Sequence, residues 1–257
     1  MKLFRYQNFI KESKEDIHSI CRKYDIKNYT INEDGTVDVD GSVNLVRRKL
    51  TELPLKFGKV SGFFYCNDNQ LESLSGAPLE VGGDFYCPYN QLKSLSGAPR
   101  EVSGDFDCHM NILTNLEGSP LEVSGDFVCY DNKLISLSGA PNKVGGHFIC
   151  DDNNLTTLEG ISKYISGNIN CQMNQLRDVK GVKDGWRGQF FIGENPVQKI
   201  FKLFPKKRRD EVTEYLNEYE VIRDGKVVVL QALELVFHEM GLEVPEIEHI
   251  KGYEIQF

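Results

Sequence analysis

The 257-residue chain has no apolar run near the roughly 20 residues that a membrane-spanning helix needs. Its start, MKLFRYQNFIKESKED, lacks an apolar stretch followed by small residues, so it does not read as an export signal. Close cysteine pairs are missing too: no two of the seven cysteines lie closer than 21 residues. That spacing argues against structural zinc, whose ligands come in short-range pairs such as Cys-x-x-Cys. Seven cysteines without an export signal predict reduced thiols and a cytoplasmic location. Positive charge is scarce, with 30 Lys and Arg against 38 Asp and Glu and a net charge of −8. A nucleic-acid binder needs a basic face, so nucleic acid is not the expected partner.

What the chain does have is a repeat, and in such a sequence the repeat decides the architecture. Glycines recur at Gly41, Gly62, Gly83, Gly104, Gly125, Gly146, Gly167 and Gly188, every 21 residues without insertion. Two places on stand Val43, Phe64, Phe85, Phe106, Phe127, Phe148, Ile169 and Phe190. Four places on come Leu45, then Cys66, Cys87, Cys108, Cys129, Cys150 and Cys171, then Ile192. Seven places on, Arg48 gives way to an asparagine in every unit from Asn69 to Asn195. Two leucine registers follow, starting at Leu50 and Leu53 and drifting to Val197 and Ile200.

Each register has a physical reading. Phe and Cys two apart point to one face of a short strand, and the leucines line the same interior. Asn satisfies backbone groups in the turn that leaves the strand. A second glycine series, Gly76 to Gly181, predicts a backbone position with φ > 0. Pro78, Pro99, Pro120 and Pro141 predict an extended return segment, and a 21-residue unit leaves little room for a full helix.

The pattern F-x-C-x-x-N-x-L-x-x-L resembles the leucine-rich repeat, with Phe and Cys in place of two of the usual leucines. It covers about residues 41–200. The wording LSGAP-x-EV-GGDF-x-C-x-x-NQL is similar to a short-repeat group of tailed-phage and bacterial genomes. The resemblance implies a curved, non-enzymatic binding scaffold of mixed α/β class and names no partner. The expected organisation is a leucine-rich-repeat solenoid of about eight repeats over residues 41–195, between an N-terminal cap (1–40) and an α-rich C-terminal cap (196–257).

In the N-terminal flank Ile10, Ile17, Ile20, Cys21 and Tyr24 form one helical stripe, with Ser13 and Asp16 marking a helix start. A hairpin is expected at Asp34-Gly35. Beyond the repeat, a short helix stops before Pro205, a second covers Lys206 to Tyr219, and Asp224-Gly225 turns. VVVLQALELVFHEMG ends in a third helix capped by Gly241. The tail HIKGYEIQF suits a strand, and Phe237, Tyr253 and Phe257 supply its apolar contacts.

Several residues invite chemistry and yield to plainer readings. A ladder of cysteines on stacked strands points one way and cannot form a tetrahedral site, so these are buried small hydrophobes. Cys108 and His109 leave opposite faces of a strand and cannot share a proton. Cys21 lies on the apolar stripe near His18 and packs. Asp131, Asp151 and Asp152 lack the glycine and terminal Glu of a calcium loop. The run Lys206, Lys207, Arg208 and Arg209 is followed by Asp210, Glu211 and Glu214, as on a solvated helix. Some secreted ubiquitin ligases carry short leucine-rich repeats, but here no cysteine follows Cys171 to act as their nucleophile. An enzyme activity in residues 196–257 would rest on His238, Glu239 and His249 alone.

With the interior registers structural, function is expected on the outward strand positions of a concave sheet, about 38 Å long for eight strands spaced ~4.8 Å. Tyr65, Tyr86, Tyr89 and Tyr130 offer amphipathic contact area. Val128, Ile149 and Met110 are apolar among Asp84, Asp105, Asp107, Asp126, Asp131, Asp151 and Asp152, and His109 shares the face. Residues 62–160 hold 14 acidic residues against 4 Lys and Arg. The expected function is capture of a basic protein surface, as in a phage-encoded inhibitor of a host or defence protein acting in the host cytoplasm. A structural or assembly component is the alternative. No cofactor and no metal is expected.

Overall fold

A computed structural model of the chain describes residues 16–182, 186 and 188–256. The chain is a solenoid with two parallel sheets. One, the back sheet, stacks Phe57–Val60, Glu80–Val81, Glu101–Val102, Glu122–Val123, Lys143–Val144 and Tyr164–Ile165. The other, the Phe sheet, stacks eight strands from Val43–Asn44 to Phe190–Phe191. The return segment after each proline, expected only to be extended, is itself a strand of the back sheet. Among the described residues no coil contains a helix, in keeping with its 21-residue length.

The register is strict. Phe85 pairs with Phe64 and Phe106, so like residue sits on like. The rings stack 5.3–5.5 Å apart and within 6° of parallel from Phe64 to Phe127. Phe, Cys and both leucines of the central coils are fully buried. Between the sheets the chain turns at the glycines. A Cβ on Gly104 would lie 2.8 Å from the Gly83 carbonyl carbon, so the coils could not approach with a larger residue there. Gly97 and its equivalents have φ near +90°, as the second glycine series predicts.

The asparagines do more than turn the chain. Asn90 Nδ2–H donates to the Cys87 carbonyl in its own coil (3.1 Å) and to the Cys66 carbonyl in the coil before (3.1 Å). Its Oδ1 accepts the Leu71 N–H at 3.0 Å. The same bonds repeat through Asn195. The residue that takes positive φ is the one before each asparagine, from Asp68 (φ 56°) to Glu194 (φ 62°).

At the N-terminal side, residues 16–23 form helix α1, with Cys21 buried. Ile10 and Ser13, and with them the expected helix start, lie outside the described residues. Tyr29–Ile31 and Val37–Val39 make the hairpin, with Gly35 at φ 82°, and extend the back sheet. After the coils come α2 (Gln198–Phe201), a 3-10 turn (Lys206–Arg208), α3 (Arg209–Glu218) and α4 (Leu230–Glu239). Gly241 (φ 63°) ends α4, its N–H donating to the His238 carbonyl at 2.9 Å. Val227–Val229, ahead of that helix, is a strand and lies between Ile222–Arg223 and Glu254–Gln256. Phe257 is outside the described residues. Among the described residues no helix is long and apolar enough to cross a membrane.

Candidate functional site

The outer side of the Phe sheet resolves into three rows with different duties. The first row is Asp84, Asp105 and Asp126. Asp84 Oδ1 accepts the Asp105 N–H at 3.0 Å, Asp105 Oδ1 accepts the Asp126 N–H at 2.8 Å, and Asp126 Oδ1 accepts the His147 N–H at 2.6 Å. His147 Nδ1 continues the series on the Asn168 N–H at 2.8 Å, and Asn168 Oδ1 on the Gln189 N–H at 2.9 Å. An acceptor at this register satisfies a backbone donor in the next coil. Three of the aspartates expected to contact a partner are therefore tied into the coil by one oxygen each. The signal is present in the sequence, since Asp, His and Asn, which follow five successive glycines from Gly83 to Gly167, can all accept.

The second row carries aromatic tiers. Tyr65 stacks on Tyr86 with ring centres 4.7 Å apart, and Phe63 stacks on Tyr65 at 4.1 Å. The Tyr65 hydroxyl donates to Asp84 Oδ2 at 3.4 Å. Burial, then the charges of Asp84 and Asp105, push the Tyr86 hydroxyl up to about 12. Farther along the array, His109 stacks on Tyr130 at 4.4 Å and meets the edge of Tyr89 at 5.2 Å. Asp107 Oδ1 lies 2.7 Å from His109 Nδ1 and fixes the ring. Val128 and Ile149 pair in adjacent strands of this row. Asp151 is half-buried with Oδ1 lacking a partner among the described residues, and burial pushes its carboxyl up. Pro88, from the same register, is buried and offers no surface.

The third row is the positive-φ turn. Here Asp68, Asp131 and Asp152 are interspersed with Tyr89 (φ 53°), Met110 (φ 51°) and Met173 (φ 52°). The tyrosine and the two methionines are 48%, 36% and 49% exposed. Asp and Asn tolerate the left-handed region, whereas larger side chains pay a steric penalty in it.

The remaining candidates are placed apart from this surface. The coil cysteines are fully buried and free, and burial pushes their thiols up. Cys108 points inward while His109 faces out onto Asp107. His18 Nδ1 lies 2.6 Å from the Tyr29 hydroxyl. Asp131 and Asp152 sit in the turn row. Arg208 pairs with Glu211 at 2.7 Å. His238, Glu239 and His249 are all exposed.

Comparison of the chain with protein-family models, curated proteins and solved structures finds no match.

Proposed function

We propose that the chain is a non-catalytic protein-binding scaffold of the leucine-rich-repeat kind, whose acidic, tyrosine-bearing Phe-sheet face captures a partner with a basic surface. In this reading the hairpin end and the segment after residue 195 cap the coils. One observation carries the reading. Tyr89, Met110 and Met173 are bulky, exposed and held at positive φ at a turn position that three other coils fill with Asp68, Asp131 and Asp152 and the end coils with Arg47 and Glu194. The left-handed conformation costs an ordinary residue roughly 1–2 kcal/mol. Coil geometry alone favours Asp or Asn there, so strained, exposed aromatic and thioether groups argue for contact. The stacked Tyr65–Tyr86 and His109–Tyr130 tiers supply rigid amphipathic area beside them. The excess of acids over residues 62–160 steers a basic partner. The phage-like wording of the repeat makes a host or defence protein, met in the host cytoplasm, the partner of choice.

Two sets of variants test this. Tyr86→Ala with Tyr130→Ala is expected to lose a stoichiometric partner in a host-lysate pull-down while keeping the native circular dichroism. Tyr89→Asn with Met110→Asn is expected to weaken capture yet raise stability by about 0.5–1 kcal/mol per site. Undiminished capture by both sets would sink the proposal, and self-association without a partner would favour an assembly component.

A further inference from the structure

The Phe sheet ends on an open edge. Its strand order finishes at Phe190–Phe191, which among the described residues pairs with Ile169–Asn170 on one side only. Through the coils one rule holds: the N–H of each inward strand residue donates to a carbonyl of the following coil. Phe148 donates to the Asn168 carbonyl at 2.9 Å and Ile169 to the Gln189 carbonyl at 3.1 Å. Cys150 donates to Asn170 at 2.8 Å and Cys171 to Phe191 at 2.9 Å. By the same rule the Phe190 and Ile192 N–H groups point past the last coil, and among the described residues neither has an acceptor. Both residues are buried. A strand edge with unpaired donors is a template for another strand.

Space and charge are present at this edge. An open cleft of about 330 Å³ lies against it, lined among others by Phe190, Phe191, Ile192, Phe201, Lys206 and Arg209. Among the described residues its charged lining residues are both cations, in a chain of net charge −8. Arg209 is anchored by its Nε–H, which donates to the Phe204 carbonyl at 3.1 Å.

We propose that this edge is a second binding site, which takes an extended acidic peptide segment of a partner protein by strand addition. The peptide carbonyls accept the Phe190 and Ile192 N–H groups, continuing the coil-to-coil rule. Phe201 already packs on Phe190, with ring centres 6.1 Å apart, so the peptide residue above Phe190 must be small. The residue above Phe191, a ring 42% exposed, is aromatic or aliphatic and stacks as Tyr86 does on Tyr65. Carboxylates beside it meet Lys206 and Arg209. The site is independent of the tyrosine face and opposite to it in charge preference.

The test uses the full chain and a labelled synthetic peptide in which serines alternate with a tyrosine between flanking aspartates. Fluorescence anisotropy is expected to show binding that falls about tenfold or more in Lys206→Glu and in Phe191→Asp, both exposed positions. In a parallel ladder the added strand also donates its own N–H groups to carbonyls of the edge strand, so N-methylating the peptide backbone is expected to abolish binding with the protein unchanged. Amide exchange at Phe190 and Ile192 is expected to slow on binding. Absence of binding, equal binding of a peptide with lysines for aspartates, or indifference to N-methylation would each overturn the proposal. Concentration-dependent dimers that Phe191→Asp abolishes, with no peptide bound, would assign the edge to a second copy instead.

Discussion

The coils and the segment after residue 195 hold themselves together by different rules. In the coils the polar side chains satisfy the same register one turn away. Asn111 Oδ1 accepts the Leu92 N–H at 3.0 Å, and Asn132 does the same for Leu113 at 3.1 Å. After residue 195 the contacts occur once and come from far along the chain. The Tyr253 hydroxyl donates to the Arg177 carbonyl at 2.7 Å, Asn217 Nδ2–H to the Val179 carbonyl at 3.2 Å, and Lys199 Nζ to the Lys251 carbonyl at 3.0 Å. A repeated contact makes stability a sum over neighbours, so a fault in one coil weakens the interfaces on both sides. A single contact fails locally.

The sharpest way to break this contrast is in the middle of the ladder. Asn111→Ala removes donors to the Cys87 and Cys108 carbonyls and the acceptor of the buried Leu92 N–H. Leaving buried backbone groups unpaired is expected to cost about 3 kcal/mol. Urea unfolding should show that loss across the whole array. A loss below about 1 kcal/mol would mean that the ring and leucine stacking carries the coils without the asparagines.

A smaller effect is expected at the other end. Tyr253→Phe removes one part-buried hydrogen bond that ties the tail to the coil beginning at Gly167, worth about 1 kcal/mol. Amide exchange should quicken in Val227–Val229 and Glu254–Gln256 while the coil amides stay unchanged. Equal quickening in the coils would show that the two regions unfold as one.

The same contrast explains how much of the molecule is legible in its sequence. The 21-residue period exposes the solenoid, the inward Phe, Cys and Leu registers and the glycines at positive φ, because each signal is repeated in nearly every unit. The back sheet is hidden because Glu80–Val81 offers only two residues per coil and its apolar member alone faces in. The outward positions read as one surface, since strand alternation does not distinguish a carboxylate that caps a neighbouring N–H from one that faces a partner. Asp84, Asp105 and Asp126 belong partly to the first kind. Tyr89 and Met110 look like ordinary face residues, and only their φ values mark them as costly. In the C-terminal segment the helix ends are legible from Pro205 and Gly241, whereas Val227–Val229 becomes a strand through partners at Ile222 and Glu254 that no local pattern announces.

The mildest prediction sharpens the contrast by pH. Asp178 lies in the coil beginning at Gly167, next to the turn at Asp224-Gly225, and lines the cleft that separates it from α3. Burial pushes its carboxyl up, opposed by the Lys180 N–H, which donates to Oδ1 at 3.2 Å. Its folded pKa therefore lies above the unfolded value, and the folded state holds the proton more tightly. The stability this contributes is complete below the ordinary carboxylate pKa and is lost as pH rises through the folded value. The tail strands should be more protected from amide exchange near about pH 4 than near about pH 7, with the difference worth less than about 1 kcal/mol. Asp178→Asn should erase that difference without touching the central coils, whose asparagine ladder has no proton to lose. A pH response that survives Asp178→Asn would place its origin outside this junction.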